Sequence, residues 1–208
     1  MCGIAGIYGY SAITQEVDHD CLSRMTEAMV PRGPDGSGVW ISKNKRVGFG
    51  HRRLSIIDLS EGGAQPMLLD DGRLTITFNG EIYNFMELKK ELTNVGFNFN
   101  TNCDTEVLLN AWMYWGVESI NKFKGMFAFA IWDRHSRILT LARDRLGEKP
   151  LYFLSSDNKF LFASELKALL KFKSIQKEID LESLSLFLQF SYVPAPLSIF
   201  QGVKKLMP

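Results

Sequence analysis

The chain has 208 residues, 24 Lys and Arg against 23 Asp and Glu, a formal net charge of +1 and 46% hydrophobic residues, enough for one sizeable core or two small ones. The charges are scattered, so neither a nucleic-acid-binding stripe nor a membrane-surface face is expected, and no apolar run approaches the roughly 18 residues of a membrane span. Cys2, Cys21, Cys103, His19, His51 and His135 lack metal-type spacing; neither a metal site nor a disulfide framework is expected, and with no signal segment the sequence reads as cytoplasmic.

In chain order, residues 4–8 read as an apolar strand. Asp18 or Asp20 can then cap a helix carrying Leu22, Met25 and Met29 on one face, which Pro31 stops. Residues 39–41 and 47–49 read as strands across a polar turn, and 74–78 alternates apolar residues with threonine in strand fashion. Asn84 and Glu87 have the spacing of a capping box before a helix with Leu88, Leu92 and Val95, ended by Gly96. A second helix carries Val107, Leu108, Ala111, Trp112 and Trp115 and stops at Gly116. The continuous apolar run 126–132 is too short and too aromatic for a helix and reads as a strand covered on both faces. Further strands are expected at 138–142, 151–154 and 160–163, and helices at 165–170 and 181–188. Hairpin-linked strands between helical segments imply an α+β fold with antiparallel sheets packed under helices. From Tyr192 the pattern loses periodicity and reads as a connector, which divides the chain into a domain over 1–191 and a tail over 192–208.

Cys2 stands directly behind Met1, so trimming Met1 would give one residue both a nucleophile and a base. A free thiol, with a pKa of about 8.5, is only a few per cent ionised at neutral pH and needs activation. An α-amino group titrates at about 7.7 to 8.0, close enough to physiological pH to accept and return a proton. Gly3 and Gly6 remove side chains nearby, and glycine within a strand often marks close approach by a ligand or another backbone.

Four other places in the chain carry chemistry, and each also has an ordinary reading. Arg-Gly-Pro-Asp-Gly at 32–36 makes a good turn. Asn79-Gly80 suits the centre of a type I′ hairpin. Asp104 can begin a helix, where a carboxylate meets unsatisfied N–H groups. Arg52 and Arg53 can be solvated strand charges; because adjacent strand residues face opposite ways, at most one of them enters a given site.

Taken together, Cys2, Arg32-Gly33-Pro34-Asp35, Arg53-Leu54-Ser55-Ile56 and Asn79-Gly80-Glu81-Ile82-Tyr83-Asn84 resemble the class II, N-terminal-nucleophile glutamine amidotransferases, in the asparagine synthetase branch. The runs Gly125-Met126-Phe127-Ala128-Phe129, Arg143-Asp144-Arg145-Leu146-Gly147-Glu148-Lys149-Pro150-Leu151-Tyr152 and Ala163-Ser164-Glu165-Leu166-Lys167-Ala168-Leu169 are similar to motifs of that branch. The resemblance implies an Ntn-hydrolase four-layer αββα sandwich of two antiparallel sheets between helical layers.

It also implies roles. Cys2 would be the nucleophile, and base through its α-amine; Asn79 and Gly80 the oxyanion hole; Arg53, Leu54, Ser55, Ile56, Ile57, Asn79, Gly80, Glu81 and Asp104 the substrate-binding set, with Arg53 on the carboxylate and Asp104 on the ammonium of L-glutamine. No cofactor or metal is implied for this domain. ATP and magnesium would serve a C-terminal ATP-dependent synthetase domain, and this sequence holds no Ser-Gly-Gly-x-Asp-Ser phosphate loop of the kind such a domain carries. A homodimer is compatible with the sequence. Three alternatives stay open: a same-branch amidotransferase serving a sugar or polysaccharide-biosynthesis acceptor, a non-catalytic regulatory relative, and an Ntn amidase acting on another amide.

Overall fold

A computed structural model describes residues 1–10, 16–69, 71–156, 158–173 and 175–208. The elements are β1 (Gly3–Gly9), α1 (His19–Glu27), β2 (Gly36–Ile41), β3 (Val47–Arg53), β4 (Met67–Leu68), β5 (Leu74–Ile82), α2 (Phe85–Asn94), α3 (Asp104–Trp115), α4 (Ser119–Lys122), β6 (Gly125–Asp133), β7 (Ile138–Arg143), β8 (Tyr152–Ser155), β9 (Lys159–Ala163), α5 (Leu166–Leu169), α6 (Leu181–Phe190) and β10 (Val203–Lys205). One six-stranded sheet runs β10-β8-β9-β1-β3-β2 and one four-stranded sheet β4-β5-β6-β7, with antiparallel pairing throughout.

The period-two alternation of strands sorts side chains into layers. In β6, Phe127, Phe129 and Ile131 pack with Leu88, Leu92, Val107 and Leu108 of α2 and α3. The intervening Ala128, Ala130 and Trp132 meet Ile4, Val47, Phe49 and Phe162 of the other sheet. On that sheet's far face, Ala5, Ile7 and Leu161 pack under Leu22, Met25 and Ala168 of α1 and α5. The result is the expected αββα sandwich, and both faces of β6 are covered as its unbroken apolar run requires. Truncating a fully buried ring such as Phe129 would cost about 3–5 kcal/mol.

Local signals place most helix ends. Asp18 caps α1, its carboxylate accepting from Asp20 N–H at 2.9 Å. Gly96 at φ +98° follows α2 and Gly116 at φ +59° closes α3, conformations that glycine adopts without a Cβ penalty. Asn84 departs from the capping-box expectation. It stands at the N-cap of α2 without a side-chain capping bond; instead its amide accepts from Lys124 N–H and donates to the Lys122 carbonyl, both at 3.0 Å.

Other sequence expectations are also revised. Asn79-Gly80 is no hairpin turn but lies inside the nine-residue β5, opposite Ala128 and Phe127. A Cβ at Gly80 would collide with the Met126 carbonyl oxygen, so close sheet packing accounts for the glycine. Gly3 and Gly6 make room for the Met29 and Phe162 side chains rather than for a ligand. The tail also carries structure: Val203–Lys205 pairs with Tyr152–Leu154 at the sheet edge.

Candidate active site

Strand parity brings the site together. Val47, Phe49, His51 and Arg53 share one face of β3, Thr75, Thr77 and Asn79 one face of β5, and Cys2 has the parity of Ile4 in β1. Those faces look toward each other. Thr77 Oγ1 donates to the Gly50 carbonyl at 3.3 Å, and His51 Nε2 lies 3.1 Å from the Phe78 carbonyl oxygen. Burial drives the His51 pKa down to about 4, so at neutral pH its ring is uncharged and Nε2–H is the donor that ties the sheets. Just beyond this tie, one pocket is lined by Cys2, Arg53, Leu54, Ile56, Ile57, Asn79, Gly80, Glu81 and Asp104, with Met1, Gln65, Met126 and Lys149 among its other walls.

The Cys2 sulfur accepts from Leu54 N–H at 3.4 Å and is 3.6 Å from the Leu54 carbonyl oxygen. Burial pushes the thiol pKa up, against the Leu54 hydrogen bond and the positive charges of the N-terminus and Arg53. The resting sulfur is therefore a thiol, and its use as a nucleophile calls for a base.

Asn79 is 1% exposed, and its Nδ2 has no hydrogen-bond partner among the described residues. A buried amide N–H left open in this way is costly unless something occupies the pocket. Across from it, Arg53 donates from Nη1 to the Ser60 carbonyl at 2.8 Å and from Nη2 to the Asp58 carbonyl. These bonds fix the guanidinium against the 58–60 loop while leaving it on the pocket wall. Arg52 points the other way, as parity requires: Nε donates to the Gly33 carbonyl at 2.9 Å and Nη1 pairs with Glu27 at 3.2 Å. It is 8% exposed and so not a solvated charge.

Asp104 opens α3, buried rather than simply capping; its carboxylate accepts from Ile82 N–H at 2.9 Å. Burial, with Glu81 adding like charge, raises its pKa to about 6 despite that hydrogen bond. Ser55 is the one sequence-expected residue outside the pocket lining. Its N–H instead donates to Asp35 Oδ2 at 2.8 Å, which links the 32–36 turn to the strand carrying Arg53.

Sequence reading left several positions without a role. Arg32 Nε donates to the Cys2 carbonyl at 2.9 Å, Gln65 accepts from Phe78 N–H at 2.7 Å, and Lys149 enters the pocket beside Met1. Arg32 and Lys149 sit in the motif runs quoted above; Gln65 carried no sequence signal. Among the described residues no cluster of three His, Cys, Asp or Glu could hold a metal ion, and no helix is long and apolar enough to cross a membrane.

The residues lining one pocket thus bring together a thiol, an unpartnered amide donor, a guanidinium and a carboxyl. Over residues 1–208 the chain matches the family described as glutamine amidotransferase domain. It is 42% identical to asparagine synthetase [glutamine-hydrolyzing] 1 of Bacillus subtilis over 100% of this chain and 32% of that protein. It is 38% identical to a putative asparagine synthetase [glutamine-hydrolyzing] 2 of Methanocaldococcus jannaschii over 99% of this chain and 42% of that one. The chain thus spans between about a third and two fifths of the length of these relatives. Among solved structures, the glutamine phosphoribosylpyrophosphate amidotransferase of B. subtilis superimposes with a TM-score of 0.68 at 24% identity, covering 81% of this chain and 43% of that one, a likeness of fold. By sequence over its whole length and by fold, the chain belongs to the glutamine amidotransferase domain family.

Proposed function

We propose that the chain is the glutaminase part of a glutamine-hydrolysing asparagine synthetase and that Cys2, freed of Met1, is its nucleophile. The observation that carries this reading is that Asn79, whose buried Nδ2 has no hydrogen-bond partner among the described residues, lines the same pocket as Cys2. An unpaired donor in a water-poor site suits negative charge that develops only during reaction.

The steps follow from the chemistry of each group. Arg53 binds the α-carboxylate of L-glutamine, and Asp104, with Glu81 beside it, binds the α-ammonium. Leu54, Ser55, Ile56 and Ile57 form or support the adjoining wall. The Cys2 α-amine takes the thiol proton as sulfur attacks the side-chain amide carbon, and the oxyanion is stabilised by Asn79 Nδ2–H and the Gly80 N–H. Collapse returns the proton to the departing nitrogen, releasing ammonia and leaving a γ-glutamyl thioester. Water activated by the same amine hydrolyses it to glutamate and regenerates the thiol. No step requires a cofactor.

The glutaminase domain, read from the sequence as 1–191, would also take in the 203–205 strand of its six-stranded sheet, and the chain would lead on toward an ATP- and magnesium-dependent synthetase domain that uses the ammonia to make asparagine. A cytoplasmic setting and no nucleic-acid partner complete the reading. Its test is Cys2→Ala: glutamate release from glutamine should vanish while the melting temperature stays close to wild type. A folded Cys2→Ala protein that still releases glutamate would reject it.

A further inference from the structure

Lys149 is 3% exposed, yet among the described residues its ammonium meets no carboxylate within ion-pair distance. Its recorded partner is the Met1 sulfur at 3.2 Å from Nζ, a weak acceptor. A buried, unpaired ammonium is costly, and the fold goes to some length to keep it where it is. Asp144 accepts from the N–H groups of Phe127, Leu146, Glu148 and Lys149 at 3.2, 3.2, 2.8 and 3.0 Å. Arg143 Nε grips the Lys149 carbonyl at 2.6 Å. The loop from β7 to β8 is thereby pinned so that Lys149 lines the pocket with Cys2.

We propose that Lys149 is a positioning residue for the reaction: once Met1 has left, its ammonium stands beside the new N-terminus and keeps the Cys2 α-amine in the free-base form that accepts the thiol proton. This rests on the reading of Cys2 as an N-terminal nucleophile. An ordinary α-amine, with a pKa of about 7.7 to 8.0, is mostly protonated at neutral pH and unable to act as base; a nearby like charge disfavours that protonation. Removal of Met1 also takes away the Lys149 sulfur contact, leaving the ammonium to act on the residue that follows.

The charges facing the N-terminus support this direction. Arg32 lies against the Cys2 carbonyl and Arg53 is felt at the thiol. On the acidic side, Asp104, hydrogen-bonded by Ile82 N–H, acts on Cys2 in the opposite sense with Glu81 beside it, until the ammonium of bound glutamine engages them, and Glu165 is shared between Arg32 and Lys167. Asp144 is occupied by backbone N–H groups, and the weak pull of Glu148 on Lys149 comes after that of Cys2. Burial and Arg32 lower the Lys149 pKa from its ordinary value near 10.5, as expected for a cation held among cations.

The experiment is the pH profile of kcat for glutamate release, on Met1-free protein at saturating glutamine, where bound ammonium engages Asp104 and the acid limb reports the catalytic amine. Lys149→Met keeps the stem and removes the charge. Its acid limb should move to higher pH, with kcat about tenfold lower on that limb, a one-unit shift in the amine, and converge on wild type at alkaline pH. Lys149→Arg should keep the wild-type limb. A Lys149→Met profile parallel to wild type, lower by the same factor at every pH, would overturn the proposal in favour of a packing role. If Lys149→Met does not fold, Lys149→Gln replaces it, and superimposable Gln and Arg profiles reject the proposal. Undiminished glutamate release by Cys2→Ala would instead overturn the underlying nucleophile reading, whatever the Lys149 variants do.

Discussion

The Nε of Arg32 donates to the main-chain carbonyl of Cys2 at 2.9 Å while its Nη1 meets Glu165 at 3.4 Å. A guanidinium from the turn after α1 thus fixes the residue that carries the proposed nucleophile, and Glu165, just before α5, fixes the guanidinium. Lysine cannot reproduce that fork. Arg32→Lys should lower kcat about tenfold to a hundredfold, the loss of one charge-assisted hydrogen bond and of the orientation it imposes, with a smaller effect on KM. Steady-state kinetics beside thermal melts check this.

The two adjacent arginines should separate cleanly. Arg53→Ala should raise KM for glutamine about tenfold to a hundredfold, the value of a charge-assisted bond. Arg52→Ala should leave KM near wild type and lower stability by about 1–3 kcal/mol, because the buried Gly33 carbonyl loses its donor; the Glu27 partner is 59% exposed and its ion pair adds little. Urea titration and KM for both variants decide it, and equal small effects on KM would remove Arg53 from the carboxylate site.

Asp104 should impose a pH dependence on binding. Its carboxyl titrates at about 6 in the empty pocket, raised by burial and by Glu81, and only the ionised form attracts the glutamine ammonium. KM should therefore rise as pH falls through about 6, and Asp104→Asn should abolish that inflection. For stability the sign is opposite to that of a salt-bridged carboxylate: the folded pKa lies above the unfolded one, so this group contributes most stability below about 4 and loses it as pH rises through about 6. Unfolding of the ligand-free domain across that window, compared with Asp104→Asn, reads this directly.

Asn79→Asp places a carboxylate where the oxyanion would form. At 1% exposure a carboxylate costs stability here whatever the residue's role, so turnover is compared per folded molecule. If Asn79 is an oxyanion donor, that turnover should fall by about a hundredfold to a thousandfold or more, with the deficit in kcat rather than KM. A folded Asn79→Asp variant within about threefold of wild type, well short of the loss of one donor, would take Asn79 off the catalytic list.

How far the sequence could be read depended on whether the deciding contacts were local. The unbroken apolar run 126–132, the Leu88 and Leu92 face of α2, the apolar face of α1 and the parity of Arg52 and Arg53 are properties of short windows, and the structure agrees with them; Val95, expected on the α2 face, is instead half exposed beyond the helix end. Asn79-Gly80 misled because its hairpin preference is local, whereas nine residues of pairing with β6 override it. Asn84 looked like a cap but finds partners 38 and 40 residues away. The same holds for Gly3 and Gly6, whose need for small size comes from Met29 and Phe162. Arg32, Asp35 and Lys149 were visible as motif members, but their partners at Cys2, Ser55 and Met1 are joined only by the fold.

The central claim, that one residue supplies both nucleophile and base, is tested most directly by comparing glutamate release from Met1-free and Met1-retaining protein, each verified by intact mass. Met1-free protein should hydrolyse glutamine and Met1-retaining protein should not, because the Cys2 nitrogen is then a peptide nitrogen with no basic lone pair. Equal turnover by the two forms would contradict it.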